Sequence, residues 1–368
     1  MSEDRLQNLQ DLMVRDGVEA LAVNASSLLS YLAGLDFHLS ERPILLLIPD
    51  KGIPNLFFPE FEINKAEQAK IKLGFFPYKE NPDFWINPLT SAIEKLNFAK
   101  KSIGVPPESM RFLELELLQT AVGHKQIISA EKILKKLLIQ KDSTEINAIK
   151  KAVVIAENAI ESLLFEEFLG KTEKQLANLL VIKLLESGSE PDLPFNPIVA
   201  SGPNSANPHA IPGDRMIQSG DILIIDWGAR FDGYVSDITR TFQVGAGSEE
   251  FIEISEVVKR ANAMARKKAE IGILASEVDQ AARDVISKSD YGEFFTHRTG
   301  HGIGLLAHED PYISESSRTE LAPGMVFTVE PGIYIPGKGG VRIEDNILIT
   351  NEGSSTLTAL SRELISVN

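Results

Sequence analysis

Four carboxylates stand inside apolar runs of this chain: Asp226 in ILIIDWG, Asp237 in YVSDITRTF, Glu330 in VFTVEPG and Glu344 in VRIEDN. Runs of that kind read as buried strands, and an ionised carboxylate buried without a partner costs several kcal/mol. Any fold for this chain must therefore bring positive charge to these positions. Arg240, Arg298 and Arg342 lie nearby in sequence and could build a structural ion-pair network. His301, in HRTGHGIGL, offers another solution, because it adds an imidazole to the carboxylates. The carboxylates outnumber the local arginines, and the set Asp226, Asp237, His301, Glu330 and Glu344 suits two hard or borderline divalent ions. Two such ions about 3.5 to 4 Å apart make hydroxide from water at neutral pH and polarise a carbonyl, which points to amide hydrolysis.

Cysteine is absent, so any metal must be held by oxygen and imidazole alone. A net charge of −15 repels phosphate backbones and anionic lipid, leaving a small peptide or metabolite as the expected partner, with no nucleic acid and no membrane. The opening MSEDRLQNLQDLMVRDG is charged and helix-like, unlike a secretory leader. No apolar run approaches the roughly 20 residues of a membrane span, and a cytoplasmic enzyme is expected. At 368 residues the chain suits two domains.

Residues 1–130 alternate helical and strand-like segments and read as an α/β domain. Leu6, Leu9, Leu12 and Met13 share one helical face, and EALAVN and RPILLLIP read as short buried strands. His38 and His124 have no ligand-like neighbours there and are assigned structural or surface roles. EKILKKLLIQ, within 131–142, reads as a linker helix into a second domain at 143–368. Asp142 with Glu145, and Thr172 with Gln175, are capping boxes that open two helices, and Ser276 with Asp279 is expected to open a later one. The loop around ANPHA carries His209. Asp232-Gly233 favours a type I′ hairpin turn. With that turn, Asp226 faces Thr239 across the ladder and Asp237 lies diagonally beside Asp226. MVFTVEP and VRIEDNILIT read as two strands joined by GIYIPGKGG, with Arg342 and Glu344 on one face. The second domain is an α+β plan with a curved antiparallel sheet. His297 suits either a helical turn or an extended loop ahead of His301, and His308 in HEDP suits a substrate or transition-state contact.

At DWGARFDGYVSDITRTF, HRTGHGIGL, HEDP, TVEPGIY and GVRIED the sequence resembles the pita-bread metallopeptidases, in particular their Xaa-Pro branch of aminopeptidase P and prolidase. The resemblance implies a creatinase-like N-terminal domain and a pita-bread catalytic domain. It implies Asp237 and Glu344 as ligands bridging two ions, Asp226 completing one ion, and His301 with Glu330 completing the other. It further implies His209 and His308 as contacts on opposite walls of the scissile region, His297 and Arg342 as supporting groups, and Glu330 as a proton shuttle to the leaving nitrogen. Manganese is the expected metal, with cobalt or zinc as alternatives. The expected substrates are dipeptides or short peptides with proline second, and the expected assembly is a homodimer. Methionine aminopeptidase, another C–N hydrolase such as a creatinase, and a non-catalytic binding module on the same scaffold are the alternatives. Some prolidases carry an Arg just after the HExP motif that suits a dipeptide carboxylate. Here that residue is Tyr312, leaving Arg318 or a residue from a partner's N-terminal domain to serve instead.

Overall fold

In a computed structural model of the chain, residues 2–98, 101–122 and 127–368 are described, and His124 lies outside them. The chain divides into two compact units, Met1–Leu137 and Leu138–Asn368.

The first unit has helices α1 (Ser2–Asp16), α2 (Ser27–Ala33), α3 (Ile63–Ala66), α4 (Ile86–Lys95), α5 (Phe112–Val122) and α6 (Glu131–Leu138). Its strands are β1 (Ala20–Asn24), β2 (Leu45–Pro49), β3 (Asn55–Pro59), β4 (Gly74–Tyr78), β5 (Ile103–Val105) and β6 (Ile127–Ser129). They form one mixed sheet in the order β4-β3-β2-β1-β5-β6. Strands β1 and β2 are buried at every position, which is why they read as continuous apolar runs rather than alternating ones. Leu6, Leu9, Leu12 and Met13 of α1 are buried together, as their spacing requires. His38 is exposed. Helix α6 buries Ile133, Leu134 and Leu137, and the division between the units falls at its end.

In the second unit, α7 (Ser143–Leu163) and α8 (Glu173–Glu186) both begin at the expected capping boxes, on Asp142 with Glu145 and on Thr172 with Gln175. They pack apolar faces against β7 (Ile198–Ser201), β8 (Ile222–Trp227) and β11 (Ile238–Val244) through Ile160, Leu180, Leu223, Ile225 and Phe242. Helices α9 (Glu249–Lys268) and α10 (Ala275–Ser287) similarly cover β14 (Val326–Val329), β16 (Gly339–Arg342) and β17 (Asp345–Thr350). With both helix pairs on outer faces, the polar residues of the strands are left to face one another.

Between β8 and β11 the short strands β9 (Arg230–Phe231) and β10 (Tyr234–Val235) flank Asp232 and Gly233, whose φ angles of 49° and 77° are those of a type I′ turn. The register that follows pairs Thr239 with Asp226. The remaining strands are β12 (Gly300–Gly302), β13 (Glu309–Ile313), β15 (Gly332–Ile335), β18 (Gly353–Thr356) and β19 (Ile365–Val367).

Two expectations need correction. The VRIEDNILIT segment is not one strand: β16 pairs with β15 in one sheet and β17 with β14 in another, and Glu344 lies in the break between them. GIYIPGKGG is thus largely a hairpin of its own. Helix α10 begins before Ser276, and Asp279 does not cap it. Asp279 is instead buried, accepting hydrogen bonds from the backbone amide and hydroxyl of Thr299 and pairing with Arg283. A carboxylate so bonded holds the segment leading into β12, a task that cannot be told from capping by spacing alone.

Candidate metal centre

Asp226 sits near the end of β8, Asp237 immediately before β11, His301 in the middle of β12, Glu330 immediately after β14, and Glu344 in the break before β17. The ends of separate elements thus converge. Ligand atoms of Asp237, His301 and Glu344 all lie within 4.8 Å of one another. His301 Nε2 is 3.7 Å from Asp237 Oδ2 and 3.3 Å from Glu330 Oε1. Its Nδ1 meets the Gly302 carbonyl at 3.2 Å, which leaves Nε2 directed at the carboxylates. The glycines beside it are a packing requirement. A Cβ on Gly300 would stand 1.9 Å from the Thr328 carbonyl, and one on Gly302 would stand 2.3 Å from that of Asp310.

Asp226 and Glu344 are held through their carboxylates, and Asp237 through its backbone. Arg342 donates from Nη2 to Asp226 at 2.7 Å and from Nε to the Thr239 hydroxyl at 3.0 Å, and that hydroxyl donates to Glu344 Oε2 at 2.7 Å. Arg342 Nη1 also donates to the Tyr334 hydroxyl at 2.9 Å and to the Pro208 carbonyl at 3.2 Å. Burial works against the guanidinium's charge, but Tyr334 and the surrounding carboxylates outweigh it and hold its pKa well above the ordinary value. The side chain of Asn346 brackets Asp237, donating to its carbonyl and accepting from its amide. Arg240, buried, donates to the carbonyls of Thr239 and Glu344 and pairs with Asp345 at 2.9 Å. Arg240 was named from sequence as a possible counter-charge and Thr239 as the residue facing Asp226, but Tyr334 and Asn346 were not singled out. Their signal was present only in the register that places them beside the acidic residues.

His297 lies in an irregular, non-helical segment ahead of β12, with Nε2 2.8 Å from the Tyr334 hydroxyl and Nδ1 2.7 Å from the Arg298 carbonyl. Burial lowers its pKa, so it is held neutral. The His308 ring meets the His301 ring edge-on at 4.2 Å, and desolvation followed by the charges of His301 and Arg298 pushes its pKa down to about 4. His209 is exposed in its loop, near enough for its charge to be felt at both His297 and His308.

The fit of this site to cations can be tested on its own atoms. Among the described residues, the buried side-chain oxygens with no hydrogen-bond partner are Asp226 Oδ1 and Glu344 Oε1. Leaving two buried oxygens unpaired costs roughly 1–3 kcal/mol each unless something else meets them. Among the described residues Arg342 is the guanidinium bonded to these side chains, and its donors go to Asp226 Oδ2, Thr239, Tyr334 and the Pro208 carbonyl rather than to the two unpaired oxygens. Oxygen and imidazole donors with open lone pairs are what divalent cations take.

In the protein without metal, burial and the charges of Glu344 and Asp226 raise the pKa of Asp237 well above the ordinary value, and burial with Glu330 and Asp226 does the same for Glu344. Burial also opposes ionisation of Glu330, but its hydrogen bond to His301 outweighs this and brings its pKa to about 2. For Asp237 and Glu344 the folded state binds protons that the unfolded state has released. Metal-free stability therefore falls as pH rises from about 4 toward the raised values. A cation must displace those protons, so its affinity rises with pH. Adding manganese to stripped protein is expected to raise the melting temperature more at about pH 8 than at about pH 5.5, with proton release on mixing in weak buffer. A larger gain at the lower pH would contradict this account.

The profile described as "Metallopeptidase family M24" matches residues 147–351, and that of the "Creatinase/Prolidase N-terminal domain" matches residues 5–137. The chain belongs to metallopeptidase family M24. A relative from Pyrococcus horikoshii named Xaa-Pro dipeptidase is 36% identical, over 98% of this chain and 99% of that one. The crystal structure of recombinant prolidase from Thermococcus sibiricus superposes with a TM-score of 0.94 at 35% identity, covering 100% of this chain and 99% of that one. The X-Pro aminopeptidase from Thermotoga maritima superposes with a TM-score of 0.84 at 32% identity, covering 95% and 98% of the two chains. This M24 chain thus has a pita-bread catalytic domain behind a creatinase-type N-terminal domain, and divalent metal is the cofactor class of its family.

Proposed function

We propose that the protein hydrolyses the Xaa-Pro bond at the N-terminus of dipeptides or short peptides, with Asp226, Asp237, His301, Glu330 and Glu344 holding two divalent ions. The observation carrying this reading is the pair of unpartnered buried oxygens on Asp226 and Glu344, in a chain whose relatives include proteins named Xaa-Pro dipeptidase. When bound, such ions supply Lewis acidity and make water a nucleophile at neutral pH. The side chains do the rest. Glu330, with an oxygen 3.3 Å from His301 Nε2, carries a proton from water to the departing proline nitrogen. His308, held neutral, and His209 contact the peptide on facing walls, and His297 and Tyr334 brace Arg342, which fixes Asp226. An Xaa-Pro amide has no N–H, so a site that recognises the ring by shape needs no acceptor for one. Manganese and a homodimer complete this reading on the family resemblance, and a cytoplasmic setting accords with the lack, among the described residues, of a helix long and apolar enough to cross a membrane.

The test is hydrolysis of Ala-Pro, Ala-Pro-Ala and Met-Ala-Ser by stripped protein resupplied with manganese. Cleavage of either proline substrate supports the proposal. Cleavage of the methionine peptide alone, or of none with any metal, would overturn it. His209→Ala and His308→Ala are each expected to lower kcat about 10²-fold or more while metal content stays at the wild-type level. Loss of metal from either variant would move that histidine among the ligands.

A further inference from the structure

Arg298 precedes His301 in the segment that leads into β12, and its guanidinium lies over the Tyr312 ring, 4.4 Å from the centroid. Tyr312 belongs to β13, where Glu309, Pro311 and Ile313 are buried and Asp310 and Tyr312 are half-exposed. The arginine is therefore stacked on the face of the strand that turns away from the core. Its charge is felt at His308, whose ring touches that of His301.

The fold makes no other use of this cation. Among the described residues the Arg298 guanidinium has no hydrogen bond and no ion pair, whereas Arg215, Arg240, Arg283 and Arg342 are each paired with a carboxylate. Arg260 and Arg318 also lack such a partner but are exposed, whereas Arg298 is half-buried, where a guanidinium left without a carboxylate is less readily satisfied by water. Stacking on an aromatic face holds the planar group in place and leaves its N–H fork free for a carboxylate.

We infer that Arg298 receives the free C-terminal carboxylate of an Xaa-Pro dipeptide, supplying the charge that Tyr312 lacks, and so favours dipeptides over longer peptides. This rests on the Xaa-Pro reading above. A dipeptide places its carboxylate one bond from the proline Cα, close to the scissile carbonyl, where a longer peptide presents a neutral amide. Tyr312 serves as the platform that orients the arginine, while Arg318, the alternative considered from sequence, is exposed.

The experiment compares wild type, Arg298→Ala and Arg298→Lys on Ala-Pro, its C-terminal amide and Ala-Pro-Ala, with L-proline and L-prolinamide binding to the manganese-loaded protein followed by calorimetry. Wild type is expected to favour Ala-Pro over its amide at least tenfold in kcat/KM. Arg298→Ala should raise KM for Ala-Pro at least tenfold, leave kcat within about threefold, and bring the acid and amide to equal kcat/KM. Arg298→Lys should fall between the two, because it keeps the charge and loses the fork. L-Proline should bind wild type more tightly than prolinamide and lose that advantage in Arg298→Ala. Equal treatment of acid and amide by wild type, or an equal loss on both in the variant, would overturn the inference and leave the Xaa-Pro reading standing. Failure to cleave any proline substrate would overturn that reading, and a retained preference for proline over prolinamide in Arg298→Ala would then overturn the inference separately.

Discussion

Glu344→Ala is expected to lose the ability to hold a full complement of metal and to lower kcat/KM on Ala-Pro by about 10³-fold or more. The magnitude follows from the several kcal/mol that metal ions contribute to stabilising charge in a transition state, at about 1.4 kcal/mol per tenfold in rate. The residue is well suited to reveal the ligand set because its two oxygens are so differently engaged. Oε2 accepts the Thr239 hydroxyl at 2.7 Å, and Oε1, buried, meets nothing from the protein. Asp237→Ala should behave in the same way. Both are to be measured as metal per chain alongside turnover. A variant that kept both ions and full turnover would remove that residue from the proposed ligands.

Lys141→Met is expected to destabilise the catalytic unit by about 3–5 kcal/mol, the range for removing one partner of a buried ion pair. Lys141 Nζ is 2.9 Å from Glu309 Oε2, with the side chains only 1% and 6% exposed. Its loss would strand the carboxylate beside His308 with only the Leu306 amide as donor. In a unit of this size the melting transition should fall by roughly 6–20 °C. Replacing the pair together, as Lys141→Met with Glu309→Leu, should recover part of the loss, since it removes the stranded charge but leaves the Leu306 amide unpaired. A single variant that melts with wild type would show that water reaches the pair.

Local chemistry made much of this architecture legible. The Asp142 and Thr172 capping boxes and the Asp232-Gly233 turn act within a few residues, so sequence reasoning could place them, and the turn then dictated that Asp226 would face Thr239. The break at Glu344 was not legible, because VRIEDNILIT has strand-like composition throughout and only the competition of two sheets for its ends interrupts it. Asp279 was misread for a related reason, since its partner Thr299 lies outside the helix that Asp279 was expected to cap. Lys141 with Glu309, and Tyr334 with His297, likewise join segments distant in sequence. Arg298 was noticed only as a possible counter-charge, and its use became visible once Tyr312 was found beneath it.

The scattering of Asp226, Asp237, His301, Glu330 and Glu344 over the ends of separate strands has a consequence for how the molecule matures. A zinc finger can gather its metal from one short stretch, but here no hairpin or helix pair carries a complete set of donors. Contacts this far apart in sequence form late and slowly. Cation capture is therefore expected to follow the docking of these strands rather than to drive it, and activity to begin only once they have come together.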